Sequence, residues 1–243
     1  MIGASENIRI RAFLNTKAHG LLSRDGLLDR ILTWEIVFYI SLMLLAGLIH
    51  FWDLGSRAMH HDESLHAFFS LDFFGNYKHD PLIHGPFQFF GINVLYNLFG
   101  PSEVAARALA AISGTVLVGM LYLLRDELGK WVCIVASLLI LMSPTLLYFS
   151  RFARNDLYVV VWTLGLIICA WRYMATPKAR YLYIAAALLS LSFATKENSY
   201  INLFIIVSFF FILWLREKDF DEEPADGGCT MQRVISNRIS RLL

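Results

Sequence analysis

Six apolar stretches run through this chain, and its ionisable residues gather where those stretches end. The stretches are residues 33–52, 104–124, 131–149, 157–174, 181–194 and 200–215. Most approach the roughly 20 apolar residues that a helix needs to cross a bilayer. The backbone can cross lipid only when its own hydrogen bonds are satisfied, so stretches of this kind read as helices. Hydrophobic residues make up 57% of the chain and 19 residues are Phe, against about 45–50% apolar in a soluble domain. The fold class expected is all-α: a polytopic membrane bundle of about six spans. The fifth stretch is short and also reads as a half-helix or a re-entrant turn.

Residues 85–99 form a further apolar run, bounded by Pro86 and Pro101 and too short to span. Phe87, Phe90, Val94, Leu95 and Leu98 share one helical face, so this run is expected to lie in the membrane surface. It falls within residues 53–103, read as the first outer loop. The expected organisation is a leader at 1–32, a membrane region at 33–215 and a tail at 216–243. With the N-terminus placed in the cytoplasm, 15 of the 21 Lys and Arg residues fall inside and six outside. That bias supports a multi-pass protein of the cell membrane with both termini inside. The first stretch follows a long basic leader and is too long for a signal-peptide core, so it reads as an anchor.

Net charge is +1, which argues against a nucleic-acid partner. Cys133 and Cys169 sit in apolar runs and Cys229 in the polar tail, with no CxxC pair. Nothing there reads as a disulfide framework or a redox site.

Ionisable groups at membrane depth are costly and usually mark a site. With the threading above, three such stretches reach one face: His60–Ser64, Ser150–Asp156 and Thr195–Asn198. Asp62 and Glu63 are adjacent, so on a helix they point about 100° apart. One can act as a general base while the other orients it or supports the fold. Holding a divalent cation is the alternative chemistry. His60, His61, His66, His79 and His84 crowd the same loop. The run Asp62-Glu63-Ser64-Leu65-His66 has Asp where a zinc protease motif needs its first His, which excludes that class. The residues specify no cofactor beyond a candidate divalent metal ion. A metal held by Asp62, His66 and Asp156 is the option left open. Arg107 interrupts its apolar stretch and either snorkels, pairs with Asp62, or meets a phosphate. Arg151 and Arg154 flank the end of one stretch, and Asp156 opens the next. Lys196 and Glu197 share a turn and read as a mutual ion pair or as site residues.

Read in order, these pieces resemble the amino-terminal half of a GT-C glycosyltransferase. The pieces are Met59–Ser64, His79–Pro86, Phe99–Arg107, Ser150–Asp156 and Ala194–Glu197. The resemblance is to the protein O-mannosyltransferase and aminoarabinose transferase group, and closer still to the flippase-activity-associated family of archaeal N-glycosylation. It implies transfer of a sugar from a polyprenyl-phosphate carrier to a glycan, lipid or protein acceptor on the outer face. Asp62, with Glu63 beside it, then takes the place of the catalytic acid pair. Arg107 structures the site and Asp156 supplies the second-loop acid. His84, Arg151, Arg154, Lys196 and Glu197 make up the substrate and lipid-phosphate set. Family members usually run to twice this length. That leaves a second reading, a non-catalytic subunit of a membrane complex or of lipid-linked glycan export. Other membrane subunits are then partners.

Overall fold

The structure, a computed structural model, describes residues 34–76 and 84–221. The leader, the tail beyond residue 221 and His79 lie outside the described residues. Packing divides the chain into residues 1–44 and residues 45–243. Of the first unit, residues 34–44 are described, as the opening turns of helix α1, Trp34–Phe51.

The described part of the second unit is helical, with no strand. After the end of α1 come α2 (His61–Leu71), the short α3 (Phe73–Asn76) and α4 (Phe87–Phe99). Helix α5, Glu103–Met120, continues through a 3-10 turn at Leu121–Leu124 into α6, Arg125–Leu128. Then follow α7 (Lys130–Met142), α8 (Pro144–Ser150), α9 (Asp156–Ala175), α10 (Ala179–Phe193) and α11 (Ser199–Asp221). A helix stands at each of the six apolar stretches. By length and composition, Trp34–Phe51, Glu103–Leu128 and Asp156–Ala175 can cross a bilayer. A fourth qualifies if α7 and α8 count as one broken span. Ala179–Phe193 and the apolar part Ser199–Leu213 are shorter.

The break between α7 and α8 corrects the expectation of one unbroken helix over 131–149. The two helices meet at 64°. Pro144 has no N–H to continue the ladder, and its ring would strike the carbonyl one turn back. Proline also pushes the residue before it out of the helical region, and Ser143 is extended at φ −66°, ψ 117°. Ser143 then caps the new helix, its Oγ accepting from the Leu146 N–H at 3.5 Å, with Pro144 in the first turn where proline is tolerated.

Helix α5 is central to the second unit and packs against α4, α8 and α9. Ala105, Ala106, Ala108, Ala110, Ala111 and Gly114 are all buried, and small residues let helix backbones approach closely. A Cβ at Gly114 would fall 2.5 Å from the Cβ of Ser150, so this position seats α8. Helix α4 buries Gln88, Phe89, Ile92, Asn93 and Tyr96 and exposes Phe90, Val94, Leu98 and Phe99. The exposed face is apolar, as expected of a helix lying in the membrane surface.

Candidate active site

The site begins at the start of α2. The ring of His60 accepts a hydrogen bond from the Asp62 N–H at 3.3 Å. Glu63 in turn accepts from the His60 N–H at 3.1 Å. This reciprocal box fixes where the helix starts, and so which way each carboxylate points. Glu63 points inward and is 0% exposed. Arg107, 1% exposed, meets it as a fork. Nε donates to Oε1 at 2.9 Å and Nη2 to Oε2 at 3.0 Å. Nη1 donates to the carbonyls of Leu54 and Arg57, each at 2.9 Å. The Ala153 N–H adds a bond to Oε1 at 3.0 Å, and Arg57 stands 3.4 Å from Oε2. Burial alone would push the Glu63 carboxyl up. The donors from Arg107, Ala153 and His60 outweigh that and hold it below its ordinary value.

This hub locks the turn between α8 and α9. Both backbone groups of Ala153 are held by buried side chains, its N–H by Glu63 and its carbonyl by Gln88 Nε2 at 2.7 Å. The next residue, Arg154, is thereby aimed. It lines a pocket of about 230 Å³ together with Asp62, His66, His84 and three apolar residues. Asp62 and Arg154, 92 positions apart in the chain, share one small space.

A second layer holds the rim. Asp156 accepts from Arg154 Nε at 3.2 Å and from Lys196 Nζ. His84 Nδ1 lies 3.1 Å from Glu197 Oε2. Its own backbone N–H and the His84 ring keep the Glu197 carboxyl below the usual range. The approach depends on Gly85. A Cβ there would sit 2.2 Å from the Ala194 carbonyl oxygen, which accepts from the Phe87 N–H at 3.0 Å. Gly85→Ala is expected to part His84 from Glu197 and to lower the melting temperature, which thermal denaturation in detergent would read.

His66 packs its ring 5.1 Å from that of Phe89, and its Nδ1 has no partner among the described residues. Burial, with help from His84, lowers its pKa from 6.5 to about 4. The unfolded chain therefore binds the extra proton between about pH 6.5 and pH 4. The neutral ring's contribution is present above pH 6.5 and is lost as pH falls through that window. His66→Phe is expected to remove this part of the acid sensitivity. Melting temperatures of both proteins between pH 7 and pH 4.5 test it, and parallel curves would exclude His66 as the cause.

The structure thus gathers Asp62, His66, His84 and Arg154 around one pocket, with Asp156, Lys196 and Glu197 on its rim. Four expectations change. Arg107 pairs with Glu63, not with Asp62 or a phosphate, because its donors are spent inside the hub. Arg151 stands apart from that pocket: its Nη2 donates to the carbonyls of Trp52 at 2.7 Å and Asp53 at 3.2 Å. Asp62, His66 and Asp156 do not form a metal site. No three His, Cys, Asp or Glu side chains converge on a metal position among the described residues, and Asp156 is already occupied by two cations. Lys196 and Glu197 do not pair with each other either; each reaches to another segment. Gln88 was not anticipated. An amide set between Phe87 and Phe89 at the start of α4 was the signal available.

Comparison with known proteins gives two likenesses. Residues 83–222 match the family model described as dolichyl-phosphate-mannose-protein mannosyltransferase. The match takes in His84, Arg107, Arg154, Asp156 and Lys196 and begins after Asp62 and Glu63. The fold is similar to the crystal structure of ArnT from Cupriavidus metallidurans in the apo state, with a TM-score of 0.59 and 19% identity. That likeness covers 85% of this chain and 40% of the other, so the chain spans well under half of that structure's length. No curated protein matches.

Proposed function

This chain belongs to the dolichyl-phosphate-mannose-protein mannosyltransferase family, and from that premise we propose that it carries the reacting groups of a membrane glycosyltransferase. The donor is a sugar on a polyprenyl-phosphate carrier. The acceptor is a hydroxyl of a glycan, lipid or protein on the extracytoplasmic face. The observation that carries this reading is the meeting of Asp62 and Arg154 in one pocket.

Asp62 takes the proton from the acceptor hydroxyl, and the freed oxygen attacks the anomeric carbon from the side opposite the phosphate. The bond from the anomeric carbon to the phosphate oxygen breaks, and polyprenyl phosphate leaves with the extra negative charge. Arg154 faces that charge. The group Arg154–Asp156–Lys196 holds two cations against one carboxylate, so one positive charge remains for the leaving phosphate. Lys196 acts through Asp156 as a positioning residue. Glu63 and Arg107 fix the distance between base and clamp, which matters because misplacement by about 1 Å can cost roughly a hundredfold in rate. The bias of Lys and Arg supports placing the termini in the cytoplasm and this pocket outside, with residues 33–215 as the membrane region.

The test supplies the chain, in detergent with a membrane extract as acceptor, with a radiolabelled polyprenyl-phosphate sugar. Label transfer that disappears in Asp62→Asn is the expected result. A folded wild-type chain that transfers nothing would sink the catalytic reading in favour of a subunit in glycan export. Arg154→Gln should raise the donor KM about tenfold or more, since a charge-assisted hydrogen bond contributes about 1.5–3 kcal/mol. Initial rates against donor concentration measure it, and an unchanged KM would remove Arg154 from the phosphate site.

A further inference from the structure

A second cavity, of about 330 Å³, adjoins the Glu63–Arg107 pair and shares no lining residue with the Asp62 pocket. Its volume lies within the range of small-molecule sites. It is a product of the Pro144 break, which turns α8 away from the axis of α7 and leaves a crevice beside the segment that follows α1. Leu54, Pro144, Leu147 and Tyr148 give it apolar walls.

Two guanidinium groups enter it. Arg57 lies over the rings of Tyr148 and Phe152, 5.4 and 5.3 Å from their centroids. Arg151 is anchored through one nitrogen to the Trp52 and Asp53 carbonyls. Arg107 also lines the cavity, but its charge is matched by Glu63. Arg57 meets Glu63 through Nη2 only. The remaining N–H groups of Arg57 and Arg151 have no protein acceptor among the described residues. Asp53 is the one acidic residue in the lining, so the cavity keeps an excess of positive charge.

Two preorganised guanidinium forks match the oxygens of a phosphate. Apolar walls suit a hydrocarbon stem attached to it. Pro144 in its lining follows directly on the end of the apolar α7, whose Leu139 and Met142 are 65% and 75% exposed. We propose that this cavity binds the phosphate headgroup of a membrane lipid, at a site separate from the Asp62 pocket. It goes beyond the transfer reaction, whose donor phosphate is assigned to Arg154, and does not depend on it.

The test uses the full chain in phosphatidylcholine nanodiscs with farnesyl phosphate carrying a photoreactive diazirine, followed by peptide mapping of the adducts. Adducts on Leu54 or on Leu147–Tyr148 are expected. They should fall about tenfold or more in Arg57→Gln/Arg151→Gln, since each lost charge-assisted hydrogen bond contributes about 1.5–3 kcal/mol. They should persist in Arg154→Gln, which keeps this site apart from the donor site. Asp53→Asn should increase them, a gain that no misfolding can imitate. Equal labelling by the farnesol analogue, which lacks the phosphate, would show a plain apolar crevice and overturn the proposal. Protection by inorganic phosphate at the probe's own concentration would show a free-phosphate site and overturn its assignment to lipid. Adducts confined to the Asp62 pocket would overturn it outright.

Discussion

Arg107→Met is expected to destabilise the fold by about 3–5 kcal/mol, the usual result of stranding one partner of a buried ion pair. Glu63 stays fully buried in the variant and keeps only the two backbone donors and the distant Arg57. The carbonyls of Leu54 and Arg57 lose their donor at the same time. The deficit should depend on pH in a defined direction. In the wild type the Glu63 carboxyl is held below its ordinary 4.5, so its stabilisation is present above that value and is lost in acid below it. Without Arg107, burial dominates and raises the carboxyl, which then neutralises itself by taking a proton. The gap between variant and wild type should therefore be widest near neutral pH and narrow as pH falls. Denaturant unfolding in detergent at pH 7 and pH 5 measures both quantities. A loss below about 1 kcal/mol, or a gap that widens in acid, would mean that the pair is not the structural hub. Adding Glu63→Gln to the Arg107 variant should recover part of the loss, because the uncompensated charge goes while the unpaired carbonyls remain.

The helices at the six apolar stretches were legible because each is an apolar run with charge at its ends. Runs of that kind have few ways to satisfy their backbone in a membrane. The face of α4 was legible too, since Phe90, Val94 and Leu98 recur at helical spacing and are exposed. Its opposite face was not. Gln88 and Asn93 are buried there to hold the backbone of distant segments, Ala153 and Ser70, and no periodicity announces a tertiary hydrogen bond. Pro144 was in plain view, but a break within an apolar run leaves hydropathy unchanged, so a single span over 131–149 fitted as well. Sequence brought three charged stretches to one face without saying which charges meet. Glu63 and Arg107 are 44 residues apart, and adjacent carboxylates look alike until the helix start is fixed. His60 fixes it. Arg151 and Arg154 would lie close on a helix. Here an irregular turn separates them, with the Arg154 N–H donating to the Phe152 carbonyl at 2.8 Å, and they enter different cavities.

Asp62→Asn and Glu63→Gln, one residue apart, should therefore fail in opposite ways. Asp62 is half-buried and its carboxylate makes no ion pair among the described residues, so the amide costs little in folding. What it removes, on the proposed mechanism, is the proton acceptor. Loss of a positioned general base costs about 10²–10⁴-fold in rate, and it should appear in kcat with the donor KM nearly unchanged, since Arg154 and the apolar walls remain. Glu63→Gln keeps the shape of the side chain and discards the charge that answers Arg107. It should cost about 3–5 kcal/mol of stability, as a buried guanidinium is left without its anion. Its residual folded population should still carry an intact base. Melting temperature and single-turnover transfer, measured side by side on both variants, separate the two roles. An active Asp62→Asn beside a well-folded but inactive Glu63→Gln would reverse the assignment. It would place the chemistry inside the hub, where the acceptor hydroxyl would need a path past Arg107 that the present geometry closes.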